Sequence, residues 1–434
     1  MSRLAQALAR VPGSARASYC GRIQRVAGVL VEASGLPAAV GDLCRLERPG
    51  DRPLLAEVVG LHGDVACLMP YGDLQGVCAG GAVTALNRRL DVATGDSLLG
   101  RVLDGFGKPT DGKGPLGPTV SMPVHRDAPP PLTRAPIEKM LVTGVRAIDG
   151  CLTLGRGQRI GIFAGSGVGK STLLAEVARG SEADVSVIAL IGERGREVKA
   201  FIEEALGEEG LRRSVIIVST SDRPPLERYK AAFLATAIAE SFRDRGRQVV
   251  LVMDSITRFA AACREIGLAA GEPPTVKGYP PSFFATAPKL VERAGTASTG
   301  AITAMYTVLL DGDDIDDPVG DTMRGLLDGH VVLSRKLANR GHFPAIDLLG
   351  SVSRLMSRVA DPAHRQNAQR LRELLSVFEE NRDLVQIGAY KPGTNPKLDA
   401  AIARMDRIEA FLRQDMSSPS SLAQTQAALA AAVS

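Results

Sequence analysis

The sequence predicts an α/β protein in three parts: a small N-terminal β-barrel, a central, mostly parallel sheet with helices on both faces, and a helical C-terminal region. Three patterns predict it. From Gly21 to about Ala93, short aliphatic runs (IQRVAGVLVEA, AAVGDLCRLE, PLLAEVVGLHGDVACLMP, GVCAGGAVTAL) are separated by turn residues, as in a closed barrel of about six strands. From about Arg159, the runs RIGIF, DVSVIALIG, SVIIVS, QVVLVMD, AITAMYTVLL and HVVLS are nearly continuously apolar with helical segments between several of them, which strands buried on both faces require. From Pro362, Ala368, Leu371, Leu375 and Phe378 recur at helical spacing, and IARMDRIEAFLRQ gives a further helix.

A chain of 434 residues is long enough for two or three domains, each with its own core. With 45% hydrophobic and 23% charged residues it is neither fibrous nor wholly disordered. The charge balance, 52 basic against 48 acidic residues or +4, gives no argument for nucleic acid. Gly 46 and Pro 26 with only 4% aromatics and no tryptophan imply many tight turns and an aliphatic core. Six cysteines (Cys20, Cys44, Cys67, Cys78, Cys151, Cys263) lie scattered with no C-x-x-C, so we expect reduced thiols and no zinc site. No apolar stretch reaches the roughly 18 residues of a membrane span, and the N-terminus lacks a secretory signal, so a cytosolic chain is expected.

In chain order, residues 1–20 offer one short amphipathic segment (Leu4, Leu8, Val11) that would order only against a partner or its own domain. Residues 21–95 form the barrel. Between residues 1 and 95 only Tyr19 and Tyr71 supply aromatic rings, too few for stacking on nucleic-acid bases. Residues 96–360 hold the central domain together with a Gly/Pro-rich connector (DGFGKPTDGKGPLGP, DAPPPLTRAP), which excludes a continuous helix or a central strand. The helix after Pro225 is expected to be the longest, with Phe233, Ala237 and Phe242 among its apolar positions. Residues 361–434 form the helical domain, and the Ser/Gln/Ala tail after Met416 is expected to fray.

The most specific motif is AGSGVGKST, Ala164 to Thr172, between the strand RIGIF and a helical segment. Backbone N–H groups of Gly165, Ser166, Gly167, Val168, Gly169 and Lys170 can converge on phosphate oxygens, and the helix that follows adds its positive end. Lys170 would reach the β- and γ-phosphates, and the Ser171 hydroxyl, followed by Thr172, would bind Mg²⁺. Ala164 replaces the usual first glycine and leaves the inner glycines in place. Asp254 ends the strand QVVLVMD, where an acid meets a ligand at the carboxyl edge of a parallel sheet and bonds Mg²⁺-bound water. Its alternative is to cap a helix over 256–267. Glu193, 23 residues beyond Lys170, is placed to polarise an attacking water; its alternative is a helix cap paired with Arg196. Arg194 could pair with phosphate or with nearby acids.

Arg354, after PAIDLLGSVS, is either a surface residue or an arginine presented at a domain edge to the γ-phosphate of another subunit. Phe343 is either core or a ring for stacking on a base. The acidic run DGDDIDDP (Asp311 to Pro318) lacks the spaced glycine and terminal glutamate of a calcium loop and suits a solvated turn. GEPPTVKGYPPSF (Gly271 to Phe283) suits an exposed stiff loop carrying Lys277 and Tyr279.

Taken in order, AGSGVGKST, IGERGREV, LVMDSITRFA and PAIDLLGSVSRLM resemble the rotary-ATPase family, which includes ATP synthase catalytic subunits and the export ATPases of type III secretion. The resemblance runs from about Gly21 to Met416. GEPPTVKGYPPSFF, LDGHVVLSRKLANRGHFPAIDL and FLRQDM resemble the export branch, and NRDLVQIGAYKPGTNPKLDAAI the flagellar type slightly more than the injectisome type. The resemblance implies a RecA-like P-loop ATPase core with ATP and Mg²⁺ as substrate and cofactor. It places the catalytic carboxylate on Glu193, the loop lysine on Lys170, the Walker B acid on Asp254, a γ-phosphate arginine on Arg194, the trans-acting arginine on Arg354 and the adenine-stacking ring on Phe343. It also implies a homohexamer on the cytoplasmic side of the inner membrane. Implied partners are a stator-like regulator at the N-terminal segment, a central stalk in the pore, export chaperone–substrate complexes and a membrane-embedded export gate. Rival readings are an ATP synthase β-type subunit, a Rho-like RNA translocase and a non-catalytic ring subunit. A GTPase is disfavoured, since no Asn-Lys dipeptide begins a guanine-recognition motif.

Overall fold

The computed structural model describes residues 20–310, 317–415 and 418–434. The segment with Leu4, Leu8 and Val11, and the acidic run up to residue 316, lie outside the described residues. The chain divides into two compact units, one holding the barrel to Leu90 with segments 224–226 and 265–273, the other holding the remainder.

In the barrel, β1 (Cys20–Ala27), β2 (Leu30–Ser34), β3 (Leu43–Leu46), β4 (Leu54–His62), β5 (Val65–Pro70) and β6 (Ala82–Ala85) close in the order β1-β2-β5-β4-β3-β6. Every second residue points inward: Val31 and Ala33, Cys44 and Leu46, Ala56 and Val58, Ala66 and Leu68, Val83 and Ala85. All six cysteines are free thiols, and burial pushes that of Cys44 up to about 12.

In the larger unit the connector is more structured than its composition suggests. β7 (Asp91–Thr94) pairs with β9 (Val120–Pro123), while β8 (Arg101–Asp104) joins the main sheet. The expectation of no central strand holds because β8 lies at the sheet edge, bonded on one side to β14 (Ser214–Ser219). The turn beyond β8 is fixed by Arg101, which bonds Asp111 at 2.7 and 3.0 Å and holds that carboxyl well below its usual range.

A two-stranded pair, β10 (Met140–Leu141) and β11 (Leu154–Gly155), precedes the main sheet. The sheet comprises β12 (Arg159–Ala164), β13 (Val185–Ile191), β14, β15 (Gln248–Asp254), β16 (Gly295–Thr296), β17 (Ala301–Leu309), β18 (Gly329–Leu333) and β19 (Ile346–Ser353), with β8. Its order is β19-β18-β12-β17-β15-β13-β14-β8, parallel except for the edge strand β19 and the short β16. The carboxyl ends of β12, β13, β15 and β18 therefore open on one side, where open α/β sheets place ligands.

The longest helix by expectation, Pro225–Arg243, is matched in length by Pro362–Glu380. Within the first, the fully buried Glu240 carboxylate receives two bonds from Arg293, at 3.0 and 2.6 Å, and Arg293 also donates to the Val124 carbonyl at 2.8 Å. This ties the connector to the sheet's helical layer.

The run IARMDRIEAFLRQ holds one helix as expected, Met405–Leu412, and a separate short helix, Pro396–Ile402, precedes it. Two expectations need correction. The tail is not frayed: Leu422–Val433 is a helix whose start is capped reciprocally by Ser421 and Gln424 and whose Leu429 and Ala432 are buried. In the proline-rich loop, Pro281 begins the helix Pro281–Glu292, as proline does at a first helical turn, and Tyr279 is buried against Phe283.

Glu240→Ala leaves the buried Arg293 guanidinium without its carboxylate. It should lower unfolding free energy by about 3–5 kcal/mol, measured by denaturant titration of the full chain.

Candidate active site

The phosphate loop leaves β12 at Ala164 and enters the helix Lys170–Gly180. Gly167 and Gly169 take φ of +77° and +85°, a region that side chains resist, so the turn needs glycine at both positions. From the first helical position, the Lys170 ammonium donates to Asp254 Oδ1 at 2.6 Å and lies 3.6 Å from Glu193 Oε1. Three strand ends deliver these groups: β12 through its loop, β15 through its last residue, and β13 two residues beyond Ile191. Strand β17 lies between β12 and β15, and its Thr307 hydroxyl donates to the same Asp254 oxygen at 2.7 Å. Asp254 is thus committed to Lys170 and Thr307 and does not act as a simple helix cap.

Glu193 is oriented by Gly192, which has φ +71° and against which the Arg258 side chain packs; an added Cβ would lie 2.8 Å from that chain. The helix that follows, Gly195–Ala200, has Arg194 as its N-cap residue and no side-chain cap. Glu193 therefore pairs with Lys170, and the capping alternative with Arg196 is not realised. Burial, then the neighbouring Asp254 charge, push the Glu193 carboxyl up to about 7, with Lys170 opposing. Its Oε1 is buried and has no hydrogen-bond partner, an acceptor that a water or ligand proton would satisfy.

These groups border a cleft of about 500 Å³ lined by the loop from Gly165 to Thr172 and by Arg194, Glu197, Arg258 and Arg335. Its cations, Lys170 included, outnumber its acids, which suits a polyanion. Among the described residues no group of three His, Cys, Asp or Glu forms a metal cage. Mg²⁺ usually keeps several waters and takes one or two protein oxygens plus phosphate oxygens. The exposed Ser171 hydroxyl in the cleft and the nearby Asp254 carboxylate fit that donor set.

Phe343 is 41% exposed, and its ring atoms lie 3.4 Å from where a Cβ on Gly169 would stand, so it is a ring over the phosphate loop and not core. The Arg194 side chain is 81% exposed and directed to Glu197 at 3.7 Å. Arg354 is not brought to the cleft of its own chain. Ala164 is level with Leu333 of β18, whereas Arg354 follows Ser353, which is level with Gly329 at the opposite end, and its N–H donates to the Asp328 carbonyl at 3.0 Å. Four residue steps of strand separate the two levels, roughly 13 Å, more than an arginine side chain spans.

Sequence reasoning missed Thr307, Arg258 and Arg335. Thr307 was signalled by a hydroxyl near the end of an otherwise apolar strand, and Arg258 by its place one helical turn after Asp254. Nothing in the sequence singled out Arg335.

The nucleotide-binding-domain model of the ATP synthase alpha/beta family matches residues 144–353, and that family's beta-barrel-domain model matches 23–87. The flagellum-specific ATP synthase of Treponema pallidum (strain Nichols) is 55% identical over 398 residues, covering 91% of this chain and 89% of that protein. The chain belongs to the ATP synthase alpha/beta family. It stands in the flagellar and type III secretion branch: the T3SS EscN ATPase C-terminal domain model matches residues 360–431. The assembled ATPase EscN of the enteropathogenic E. coli type III secretion system superposes with a TM-score of 0.90 at 44% identity, over 95% of this chain and 100% of that one. EscN assembled with its central stalk EscO gives 0.89 at 44% identity, with the same coverage. The three-part architecture of barrel, RecA-like core and helical domain is that of the family.

A general base must be ionised to accept a proton, so with Glu193 in that role kcat/KM for ATP should fall as pH drops below about 7, and Glu193→Gln should abolish that limb. The raised pKa also means that ionising Glu193 costs folding stability as pH rises from 4.5 through 7. Glu193→Gln should therefore raise the thermal midpoint at pH 8 relative to the parent protein, and do so less at pH 5.

Proposed function

We propose that this chain is a Mg-ATP hydrolase that works as a homohexamer, its sites completed between subunits, to energise substrate unloading and protein export by a flagellar or related type III secretion apparatus. The observation that carries the reading is the division of one site. Lys170, Asp254 and the orphaned Glu193 oxygen converge on a cationic cleft, while Arg354 stands at the other end of the sheet, where only a second copy's cleft could use it.

On binding, the triphosphate takes the Lys170 ammonium from Asp254, and the loop N–H groups hold the β- and γ-phosphates. Ser171 and Asp254 are the residues that would hold Mg²⁺, Asp254 through water, and the ion would supply positive charge opposite those phosphates. Glu193 takes a proton from the attacking water as the new P–O bond forms at the γ-phosphorus; the bond to the β-phosphate oxygen breaks and ADP leaves with that electron pair. Arg354 from the adjoining copy stabilises the charge that develops, and Arg194 swings in from Glu197 to the γ-phosphate. Phe343 stacks on adenine; compared with a tyrosine it keeps the ring and lacks the hydroxyl.

Likeness to flagellar and type III secretion ATPases supports action at the cytoplasmic face of the inner membrane beside a membrane-embedded gate. By likeness to EscN with its stalk EscO, a central stalk protein is a partner; a stator-like regulator and export chaperone–substrate complexes complete the set. Nucleic acid is not among the proposed partners, in line with a barrel that carries Tyr71 as its one described aromatic ring.

Glu193→Gln should retain ATP binding and lose turnover by at least about 10²-fold. Arg354→Ala should lower turnover on the order of 10³-fold while hexamers persist by size-exclusion light scattering. Phosphate release by the Gln variant at the parent rate would refute the role given to Glu193.

A further inference from the structure

We propose that Gln414 is a positioning residue for the nucleotide base: it sets the Phe343 ring over the phosphate loop and ties that setting to the helical C-terminal region. The inference rests on the reading of Phe343 as the base-stacking ring.

Gln414 follows the helix Met405–Leu412 and makes bonds in two directions. Its backbone N–H donates to the Phe343 carbonyl at 3.0 Å. Its side-chain Nε2 donates to the carbonyls of Gly144 at 2.8 Å and Ser418 at 3.0 Å, and its Oε1 accepts from the Arg146 N–H at 2.8 Å. That N–H opens the helix Arg146–Cys151, whose N-cap residue Val145 has no side-chain acceptor to offer. The amide therefore satisfies a helix-end donor that nothing else caps, and anchors the segment after Leu412 to the nucleotide-binding domain.

The neighbouring residue strengthens the clamp. Arg413 Nε donates to His342 Nδ1 at 3.4 Å; a guanidinium only donates, so that imidazole nitrogen accepts. The Arg146 guanidinium bonds the carbonyls of Ala410, at 3.3 Å, and Arg413. Residues 413–414 are thus held to 342–343 on one side and to 144–146 on the other. Among the described residues the exposed Phe343 ring shows no contact with another aromatic ring, and its main chain is supported at the carbonyl by the Gln414 N–H. The bond from Gln414 to the Phe343 carbonyl is the part of that support which crosses to the helical region.

Removing the amide should loosen the ring without touching the phosphate machinery. Gln414→Met keeps the length of the side chain and deletes its three bonds; Gln414→Glu keeps the acceptor toward Arg146 and loses the donor toward Gly144. Both are made in the full chain, with thermal midpoints recorded alongside. KM and kcat for ATP are measured together with the Kd of Mg-ATP and of Mg-tripolyphosphate, which carries the phosphates and no base. Gln414→Met should weaken ATP roughly 3- to 10-fold, the range of one aromatic stack, with kcat at saturation retained and tripolyphosphate affinity unchanged. Gln414→Glu should fall between it and the parent. Phe343→Ala should show the same selective loss, and the double variant should be no weaker than Phe343→Ala alone.

If Phe343→Ala weakens ATP while Gln414→Met binds it as the parent does, the positioning role is wrong and the stacking role stands. If Gln414→Met loses ATP and tripolyphosphate equally, its effect is general damage and the proposal is also overturned. If Phe343→Ala itself binds ATP normally, the stacking reading fails and takes this inference with it.

Discussion

A single ammonium between two carboxylates is the interaction on which the rest of this site depends. Lys170 lies within 2.6 Å of Asp254 and 3.6 Å of Glu193, and without it a buried and a half-buried acid would stand near each other with no cation between them. The arrangement is unequal. Asp254 has Thr307 as a second donor, whereas Glu193 retains a bare, buried oxygen and a carboxyl displaced toward neutrality. In the hydrolysis proposed here, a γ-phosphate that draws Lys170 to itself would change the field at both acids in one step and so couple nucleotide entry to preparation of the general base.

The scaffold delivers those three groups by topology. A parallel sheet aligns strand ends, and the order β12-β17-β15-β13 separates the loop lysine from Asp254 by one strand that contributes Thr307 to bridge them. The same sheet excludes Arg354. Antiparallel β19 returns that arginine to the amino ends of the parallel strands, so the fold of one chain forbids what a ring of chains permits. Close to the phosphate loop, the main chain at Phe343 is bonded from the helical region by Gln414, whose side chain is anchored on Gly144.

Much of this was legible in the sequence because its signals are local. The glycine spacing of residues 165–169, the apolar strands and the terminal acid of β15 each carry their meaning within a few residues, and the barrel's alternation does the same. Features set by distant packing were not. The direction taken by Glu193 depends on Gly192 at positive φ with Arg258 packed against it, so the sequence left open whether Glu193 faces the phosphate site or caps a helix beside Arg196. The tail reads as frayed because its Ser, Gln and Ala residues mark out no distinct apolar face. It orders because Leu429 and Ala432 are buried in a core built by other helices and because Ser421 and Gln424 cap it. The Phe343 ring was ambiguous between core and site until its place against Gly169 was known. The strand in the Gly/Pro-rich connector was hidden because an edge position needs a ladder on one side only.

The central claim, that each hydrolytic site is assembled from two copies, is tested most directly by mixing two variants that are each inactive, Lys170→Ala and Arg354→Ala, under conditions that allow rings to exchange subunits. If Arg354 acts across the interface, some sites in mixed rings combine an intact Lys170 with a neighbour's intact Arg354, and ATPase activity returns. A mixture that exchanges subunits yet releases no more phosphate than its two components measured separately would contradict the account.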